Sequence, residues 1–377
     1  MILLEDGPGG RPALFDAPRG LIRADRPGEV APALAALDAA RAAGNWVAGF
    51  LAYEAGYALE PRLARLAPPA GAVPLLAFGL YPGPAPAEAA LARAAVLAPS
   101  SGLAPPRPRW GPAEHAAATR RVLDWIAAGD IYQANLTFPL DTAWTGSPAG
   151  LWAALRRRQP VGHGALVQLP GLPAIVSRSP ELFFSTDAAG RIEARPMKGT
   201  APRHRDPARD ARLRDDLAHS VKDRAENLMI VDLLRNDISR IARPGSVAVP
   251  ALFAVETYAT VHQMVSRITA QLPPGTGLAA LMAALFPCGS VTGAPKIRAM
   301  EVIRALEPWP RGVYCGAIGW MGPDGASSFN VAIRTLTLFA DGRAEMNVGG
   351  GIVHDSTPAG EYQEALWKAR FARPEPG

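Results

Sequence analysis

Hydrophobic residues recur along the chain in two spacings, and these spacings predict most of its secondary structure. Val30, Leu34 and Leu37 share one face of an alanine-rich stretch and predict a helix. Short, nearly continuous apolar runs predict buried strands, of which 46–53 is the first. We predict helices at 29–43, 87–96, 114–127, 215–241, 278–286, 296–306 and 360–372. We predict strands at 46–53, 75–80, 131–140, 165–169, 174–177, 191–196, 260–266, 314–321, 329–339 and 344–348, and a short one around Val247 and Val249.

The order of these elements predicts the fold class and a domain boundary. Many strands in hairpin-like succession, with helices inserted between them, favour an α+β fold over regular βαβ alternation. Proline, alanine and glycine accumulate before residue 112, and residues 99–112 have the composition of a linker. We therefore predict an N-terminal lobe over residues 1–98, a Pro-rich linker over 99–112 and a larger functional region over 113–377.

Composition narrows the class of protein. Of 377 residues, 49% are hydrophobic and 19% are charged, which is typical of a folded globular protein. The net charge is only +5 and the basic residues are not clustered with aromatic ones, so no nucleic-acid partner is expected. No apolar run is long enough to span a membrane and no signal peptide is apparent. Cys288 and Cys315 match no metal or redox spacing and are expected to be core thiols, so we expect a cytoplasmic protein.

Lysine is scarce in this chain. Among 39 Lys and Arg residues only four are lysines, Lys198, Lys222, Lys296 and Lys368. A lysine amine becomes a nucleophile once it loses its proton, whereas a guanidinium effectively cannot. Lys198 lies in the run RPMKGT at 195–200, between a predicted strand and a Gly-Thr turn. A solvated turn lysine is the ordinary interpretation, and a reactive one is the alternative.

Two pairs of acids have the spacing of a shared helix face. Asp223 and Glu226 are three residues apart on one predicted helix, and Glu361 and Glu364 repeat the spacing on the last one. Two helices that each offer two carboxylates could together hold a hard cation such as Mg²⁺. Because such acid pairs are also common on protein surfaces, spacing alone leaves both interpretations open.

Two glycine-containing segments are candidates for anion binding. Gly349, Gly350 and Gly351 follow a predicted strand, and their backbone N–H groups could form an anion nest or simply a tight turn. The segment GSVTGAPK at 289–296 opens a predicted helix, which makes it either an anion site or a well-capped helix start.

Glu181 and His262 are candidates for proton transfer. Glu181 precedes Lys198 by a distance suited to adjacent strands joined by a turn at 187–190, so it could protonate a substrate or pair with the lysine. His262 lies in an apolar strand, where a core histidine is the alternative to a catalytic one.

The motifs together resemble the chorismate-utilising enzymes, which include the anthranilate, aminodeoxychorismate, isochorismate and salicylate synthases. The resemblance extends from about residue 120 to residue 370. It rests on motifs that occur in the family's order: GDIYQ at 129–133, SPE at 179–181, KGT at 198–200, AENLMIVDL at 225–233, TGAPK at 292–296, IRT at 333–335, GGG at 349–351 and EYQE at 361–364.

The resemblance implies a fold and a set of site residues. The fold would be two packed, mostly antiparallel β-sheets flanked by helices. Mg²⁺ would be held mainly by Glu226 and Glu364, with Asp223 and Glu361 close by, and would bind the ring carboxylate of chorismate and help the C4 hydroxyl to leave. Catalysis would depend on Lys198, Glu181 and His262. The implied substrate-binding residues are Gly199, Thr200, Thr292, Lys296, Tyr314, Arg334, Gly349, Gly350 and Gly351.

Lys198 favours one branch of the family. Anthranilate synthases usually have a small residue before this Gly-Thr, whereas aminodeoxychorismate synthases have lysine. The isochorismate and salicylate branches have a lysine where this chain has Gln133. The resemblance therefore implies an amino-group transferase of the transaminase class in folate biosynthesis that makes 4-amino-4-deoxychorismate, with anthranilate synthesis as the alternative.

The expected partner is a glutamine amidotransferase subunit. The sequence has no amidotransferase cysteine motif, so ammonia would come from a separate subunit or from solution. The N-terminal lobe is a reduced version of the family's N-terminal region. Relatives that bind tryptophan there have Leu-Leu-Glu-Ser, but Asp6 follows Leu3-Leu4-Glu5 here, which leaves tryptophan binding open.

Overall fold

A computed structural model describes residues 1–69, 71–258 and 261–372. Over these residues the chain forms 21 strands and ten α-helices. The strands are β1 (Ile2–Leu4), β2 (Ala13–Phe15), β3 (Gly20–Ala24), β4 (Trp46–Leu51), β5 (Leu76–Tyr81), β6 (Ala85–Pro86), β7 (Gly102–Leu103), β8 (Arg107–Pro108), β9 (Gln133–Thr145), β10 (Ala165–Val167), β11 (Ala174–Ser177), β12 (Leu182–Thr186), β13 (Arg191–Ala194), β14 (Met197–Pro202), β15 (Ala248–Thr257), β16 (Val261–Gln271), β17 (Gly293–Ala294), β18 (Ala317–Met321), β19 (Ser327–Val331), β20 (Thr335–Leu338) and β21 (Arg343–Ile352). The helices are α1 (Pro27–Ala42), α2 (Ala55–Leu59), α3 (Glu88–Leu97), α4 (Pro112–Ala127), α5 (Pro148–Arg158), α6 (Pro207–His219), α7 (Val221–Ser239), α8 (Leu278–Leu285), α9 (Lys296–Leu306) and α10 (Pro358–Lys368).

The strands form two large sheets. The first sheet has eleven strands in the order β17-β9-β21-β20-β11-β10-β1-β2-β6, with β7 and β8 also paired to β9. The second has ten strands in the order β14-β16-β13-β12-β19-β18-β4-β5-β3, with β15 also paired to β16. All strand pairs formed by the described residues are antiparallel.

The alternation of side chains along the strands explains why the two sheets pack face to face. On β1, Ile2 and Leu4 lie in a core shared with Ala48 and Phe50 of the second sheet, whereas Leu3 faces the helices that cover the first sheet. Because successive side chains of a strand point to opposite faces, a strand buried on both sides reads as a continuous apolar run. The predicted α+β fold of two packed antiparallel sheets flanked by helices is confirmed.

The predicted linker does not separate two sheets. Within 99–112, the strands β7 and β8 pair with β9, and α4 begins at Pro112. Strand β1 of the predicted lobe pairs with β10 in the first sheet, and β4 pairs with β18 in the second. The predicted boundaries at 1–98 and 113–377 therefore cut through both sheets.

Several predicted elements differ from the structure. The predicted helix 215–241 is two helices, because Ser220 has an extended backbone and its side chain accepts a hydrogen bond from Asp223 N as the N-cap of α7. The predicted strand 329–339 is also divided, into β19 and β20, around a positive φ of 51° at Arg334. The first residue of the predicted strand 260–266 and residues 373–377 lie outside the described residues. Among those described, every helix is too short or too polar to cross a membrane.

Candidate active site

Lys198 lies in a bulge of the second sheet. Strand β14 pairs with β16, but the register shifts between Met197 and Thr200. Gly199 allows this shift because it adopts a φ of 86°, which side chains disfavour. Gln263 fixes the bulge, since its Nε2 donates to Gly199 O at 2.7 Å and its Oε1 accepts from Thr200 Oγ1 at 2.9 Å.

Glu181 lies close to Lys198 through the predicted hairpin. Strands β12 and β13 pair with each other, and Gly190 N donates to Asp187 O in the turn that joins them. Burial raises the pKa of Glu181, while a hydrogen bond from Ser290 and the charges of Lys198, Arg334 and His163 oppose that rise. Burial is the larger effect, so Glu181 holds a proton to a higher pH than an exposed glutamate. A carboxylic acid of this kind can donate a proton to a leaving group.

Arg334 is a second positively charged residue near Glu181. It is half-buried near that carboxyl, and its backbone oxygen accepts a hydrogen bond from Arg178 N at 2.9 Å. Burial lowers the pKa of its guanidinium, whereas the charge of Glu181 raises it. The predicted Arg334 thus lies with Lys198 and Glu181.

The four predicted acids come from the first two turns of two helices. Asp223 and Glu226 lie on α7, and Glu361 and Glu364 lie on α10. Burial raises the pKa of Glu361, a hydrogen bond from Ser356 opposes this, and the charge of Glu364 adds to it. Electrostatic interaction between Glu361 and Glu364 shows that this helix presents both carboxylates to one place.

Glu364 also faces several ammonium groups. Burial alone would raise its pKa, but the charges of Lys368, Lys198 and Lys222 outweigh burial and the pKa is lowered. Lys368 Nζ lies 2.8 Å from Glu364 Oε1, and Lys222 Nζ lies 3.9 Å from Glu226 Oε1. The acids, Lys198 and two further lysines therefore form one charged cluster.

The chemistry of this donor set fits a hard divalent cation. Carboxylate oxygens on two helices are the ligands that Mg²⁺ prefers. Gly350 keeps the space beside them open, since a Cβ atom there would lie 3.1 Å from Glu361 Oε2 and 3.8 Å from Glu364 Oε1. With the side chains as they stand, no three metal-ligating residues of the described chain are close enough to enclose an ion. Lys222 and Lys368 place ammonium groups next to Glu226 and Glu364.

The glycines 349–351 form part of a strand rather than a loop. They belong to β21 and pair with residues 135–137 of β9, so their backbone forms neither of the two expected shapes, a nest or a tight turn. Gly351 lets the side chain of Gln133 lie close to the backbone of β21, because a Cβ atom at Gly351 would lie 2.8 Å from Gln133 Nε2. Gln133 is fully buried, and neither its Oε1 nor its Nε2 has a hydrogen-bond partner in the protein. Buried amides are nearly always paired, so an amide without partners next to the glycines indicates a place for a polar ligand.

Three predicted residues direct their polar atoms into the protein. Lys296 Nζ lies 2.6 Å from Asp237 Oδ2 and donates to Leu285 O at 2.8 Å. Thr292 Oγ1 donates to Cys288 O at 3.1 Å. His262 lies between Thr257, 2.9 Å from Nδ1, and Asp210, 3.1 Å from Nε2.

Lys296 lies well away from the acid cluster along α7. Its partner Asp237 follows Glu226 by eleven residues, which is roughly 16 Å along a helix axis. The structure therefore does not join the Lys296 ammonium to the group formed by Lys198 and the acids. Tyr314 is buried beside Cys315, and burial raises the pKa of its hydroxyl. Both cysteines are buried free thiols, as predicted.

Comparison with known proteins identifies the family. The model of the chorismate binding enzyme family matches residues 2–374. The chain belongs to this family of chorismate binding enzymes. Its match to aminodeoxychorismate synthase component 1 of Salmonella typhimurium is 46% identical over 249 residues, 66% of this chain and 54% of that protein.

Relatives with another name are nearly as similar. Anthranilate synthase component 1 of Streptomyces coelicolor is 42% identical over 251 residues, which are 66% of this chain and 48% of that protein. The crystal structure of anthranilate synthase component I from Streptococcus pneumoniae superposes with a TM-score of 0.78 at 26% identity, covering 96% of this chain and 92% of that one. In these sequence alignments the chorismate binding enzyme described here spans about half the length of its curated relatives.

Sequence analysis missed several members of this site. Lys222, Lys368 and Ser290 were not predicted, and Gln133 was used only to distinguish branches of the family. The scarcity of lysine that singled out Lys198 also applied to Lys222 and Lys368. Neither the hydrogen bond from Ser290 to Glu181 nor the unpaired buried amide of Gln133 has a comparable signal in the sequence.

Proposed function

We propose that this chain is the chorismate-aminating component of an aminodeoxychorismate synthase. It would convert chorismate and ammonia to 4-amino-4-deoxychorismate and water. The observation that carries this proposal is the position of Lys198, whose charge acts on both Glu181 and Glu364. A potential nucleophile thus lies between a buried acid and the carboxylates that suit a metal.

The first half of the reaction would form a covalent adduct. The neutral amine of Lys198 attacks C2 of chorismate, the two ring double bonds shift by one position, and the C4–O bond breaks. Glu181 donates its proton to the departing hydroxyl, which leaves as water. Its raised pKa supports this role, because a larger fraction of the carboxyl is protonated at neutral pH than for an exposed glutamate.

The second half would exchange nitrogen atoms. Ammonia attacks C4, the double bonds return, and the bond between C2 and Lys198 breaks. Glu181, now ionised, would recover a proton from the nitrogen that has bonded to carbon. The product keeps both carboxylates of chorismate, so the same binding groups can serve throughout.

The dianionic substrate would be held by positive and polar groups of the protein. Arg334 offers a guanidinium near Glu181, and Gln133 offers an unpaired amide beside the glycines of β21. Glu226 and Glu364 would hold Mg²⁺, with Asp223 and Glu361 nearby. When bound, the ion would neutralise the substrate's ring carboxylate and assist departure of the C4 hydroxyl.

The proposed nitrogen donor is a glutamine amidotransferase subunit. Relatives named component 1 imply a second component, and this is the support for a partner here. Free ammonium salts should replace that partner in a simple assay.

The experiment is a product assay by mass with chorismate, ammonium and Mg²⁺, with and without an added aminodeoxychorismate lyase. We expect aminodeoxychorismate alone, and p-aminobenzoate only when the lyase is added. Anthranilate without a lyase would support the alternative, anthranilate synthase, which the 42% identity to such an enzyme keeps as the second candidate. Chorismate that is not consumed under any condition would overturn both.

A further inference from the structure

Two lysines without an assigned role occupy the acid cluster. Lys368 Nζ lies 2.8 Å from Glu364 Oε1 and also donates to the carbonyl oxygen of Gly349 at 2.9 Å. Lys222 Nζ lies 3.9 Å from Glu226 Oε1, four residues along α7. The two carboxylates best suited to a metal are therefore already paired with ammonium groups.

The ammonium of Lys368 lies between the glycines of β21 and the carboxylates of α10. A Cβ atom at Gly350 would be 3.5 Å from Lys368 Nζ and 3.8 Å from Glu364 Oε1. Lys368 Nζ therefore lies next to both the carboxylate of Glu364, which could bind a cation, and the glycines of β21, which could lie beside an anion.

An ammonium and a divalent cation compete for the same carboxylate. Both are positive, and at a separation of a few ångströms their repulsion opposes simultaneous binding to Glu364. A substrate carboxylate offers the ammonium another partner of equal charge. Moving Lys368 from Glu364 to that carboxylate would free the glutamate oxygens for the metal.

We propose that Lys368 and Lys222 change partners when the substrate binds: their ammonium groups move from Glu364 and Glu226 to the carboxylates of the bound dianion. The two glutamates are then free to bind the divalent ion, so the ion and the substrate bind cooperatively. The inference rests on the proposed function for the identity of the dianion. The exchange needs no further charged group, because each lysine gains a substrate carboxylate and each glutamate gains the metal ion.

Lysine suits this exchange better than arginine. Its ammonium is a point charge on a flexible stem, whereas a guanidinium forms a fixed two-pronged pair with a carboxylate. The side chains of Lys222 and Lys368 are 64% and 35% exposed, so these pairs are held weakly and can be exchanged. In a chain that otherwise uses arginine, two of the four lysines pair with acids that we propose hold the metal.

The experiment measures binding of Mn²⁺, a spectroscopic substitute for Mg²⁺, by electron paramagnetic resonance. The proteins are the unchanged chain, Lys368→Met, Lys222→Met, and Arg370→Met as a control that removes an exposed charge elsewhere near α10. With Mn²⁺ alone, we expect Lys368→Met to bind the ion roughly tenfold more tightly, because a like charge has been removed from Glu364. Lys222→Met should act in the same direction by a smaller factor, and Arg370→Met should leave affinity within twofold.

The second arm adds chorismate without ammonia, in a Glu181→Gln background that lacks the proposed acid. Chorismate should tighten Mn²⁺ binding roughly tenfold when both lysines are present and by less than threefold in Lys368→Met. An equal tightening in the two proteins, or weaker Mn²⁺ binding by Lys368→Met alone, would overturn the exchange. The Mn²⁺-only arm needs no catalysis, so it remains informative even if the product assay contradicts the proposed function.

Discussion

Gly199 and Asp223 meet so closely that a Cβ atom at Gly199 would lie 2.9 Å from the Cβ atom of Asp223. This contact joins the bulge that carries Lys198 to the first turn of α7. Lys198 and the acids of α7 are therefore positioned by one point of close packing, and the glycine is needed both for its φ of 86° and for its lack of a side chain.

Gly199→Ala should separate these two requirements. A side chain in the left-handed region lowers the free energy of unfolding by about 1–2 kcal/mol. The added Cβ atom would also clash with Asp223 and displace Lys198 or α7. The control is Gly275→Ala, since Gly275 has a φ of 78° but no atom within 4 Å of a Cβ atom. Denaturant unfolding should show a loss of stability in both variants, whereas chorismate turnover should fall only in Gly199→Ala. Equal turnover in the two variants would argue against the contact.

Glu181→Gln should slow the reaction by roughly 10²- to 10⁴-fold, the usual contribution of a general acid. Burial raises the pKa of Glu181, so the active, protonated form is present below that pKa and is lost as pH rises through it. The unchanged protein should therefore lose activity on an alkaline limb, and the residual activity of Glu181→Gln should lack it.

The control for that variant is Glu193→Gln on the adjacent strand, where the carboxylate faces Arg267 at 3.7 Å rather than the site. Steady-state rates between pH 5 and 9 decide the matter. If both variants keep the alkaline limb of the parent, Glu181 is not the group that titrates.

The sequence predicts much of this architecture but fewer of its contacts. Period-2 and period-3.6 patterns located the main strands and helices because one or both faces of each element are buried. The turn at 187–190 correctly brought Glu181 to Lys198, since a hairpin is a local feature. Pairings between distant segments are set by packing of the whole chain, so Lys296 with Asp237 had no local signal.

Other differences also have local physical causes. The break before α7 depends on one serine side chain capping a helix, and the apolar pattern continues through it. The glycines of β21 have the composition of a turn, but their pairing with β9 keeps them extended. Glycine permits both a turn and an extended strand, and the pairing with β9 selects the extended conformation here.

Arg311→Met should be among the most destabilising single changes in the chain. The guanidinium of Arg311 is buried, donates to Glu307 from Nη2 at 2.7 Å and from Nε at 2.8 Å, and also donates to Asn135 O and Val291 O. Glu307 Oε1 in turn accepts from Thr137 N at 2.7 Å. Removing the guanidinium leaves a buried carboxylate without its counter-charge, which typically costs about 3–5 kcal/mol.

Arg235→Met is the matched control, because Arg235 pairs with Asp232 on the exposed side of α7 at 2.9 Å. A surface pair of this kind should change stability by no more than about 0.5 kcal/mol. Unfolding midpoints in urea compare the two variants directly. Similar midpoints would show that the buried network contributes no more than a surface ion pair.

Intact-protein mass spectrometry after incubation with chorismate and Mg²⁺, without ammonia, tests Lys198 as the nucleophile most directly. The unchanged protein should gain the mass of chorismate less one water, and peptide mapping should locate that mass on Lys198. Lys198→Met should stay unmodified and make no aminodeoxychorismate when ammonium is added. An unmodified parent protein, together with equal turnover of chorismate and ammonium by the parent and Lys198→Met, would contradict the covalent role of this lysine.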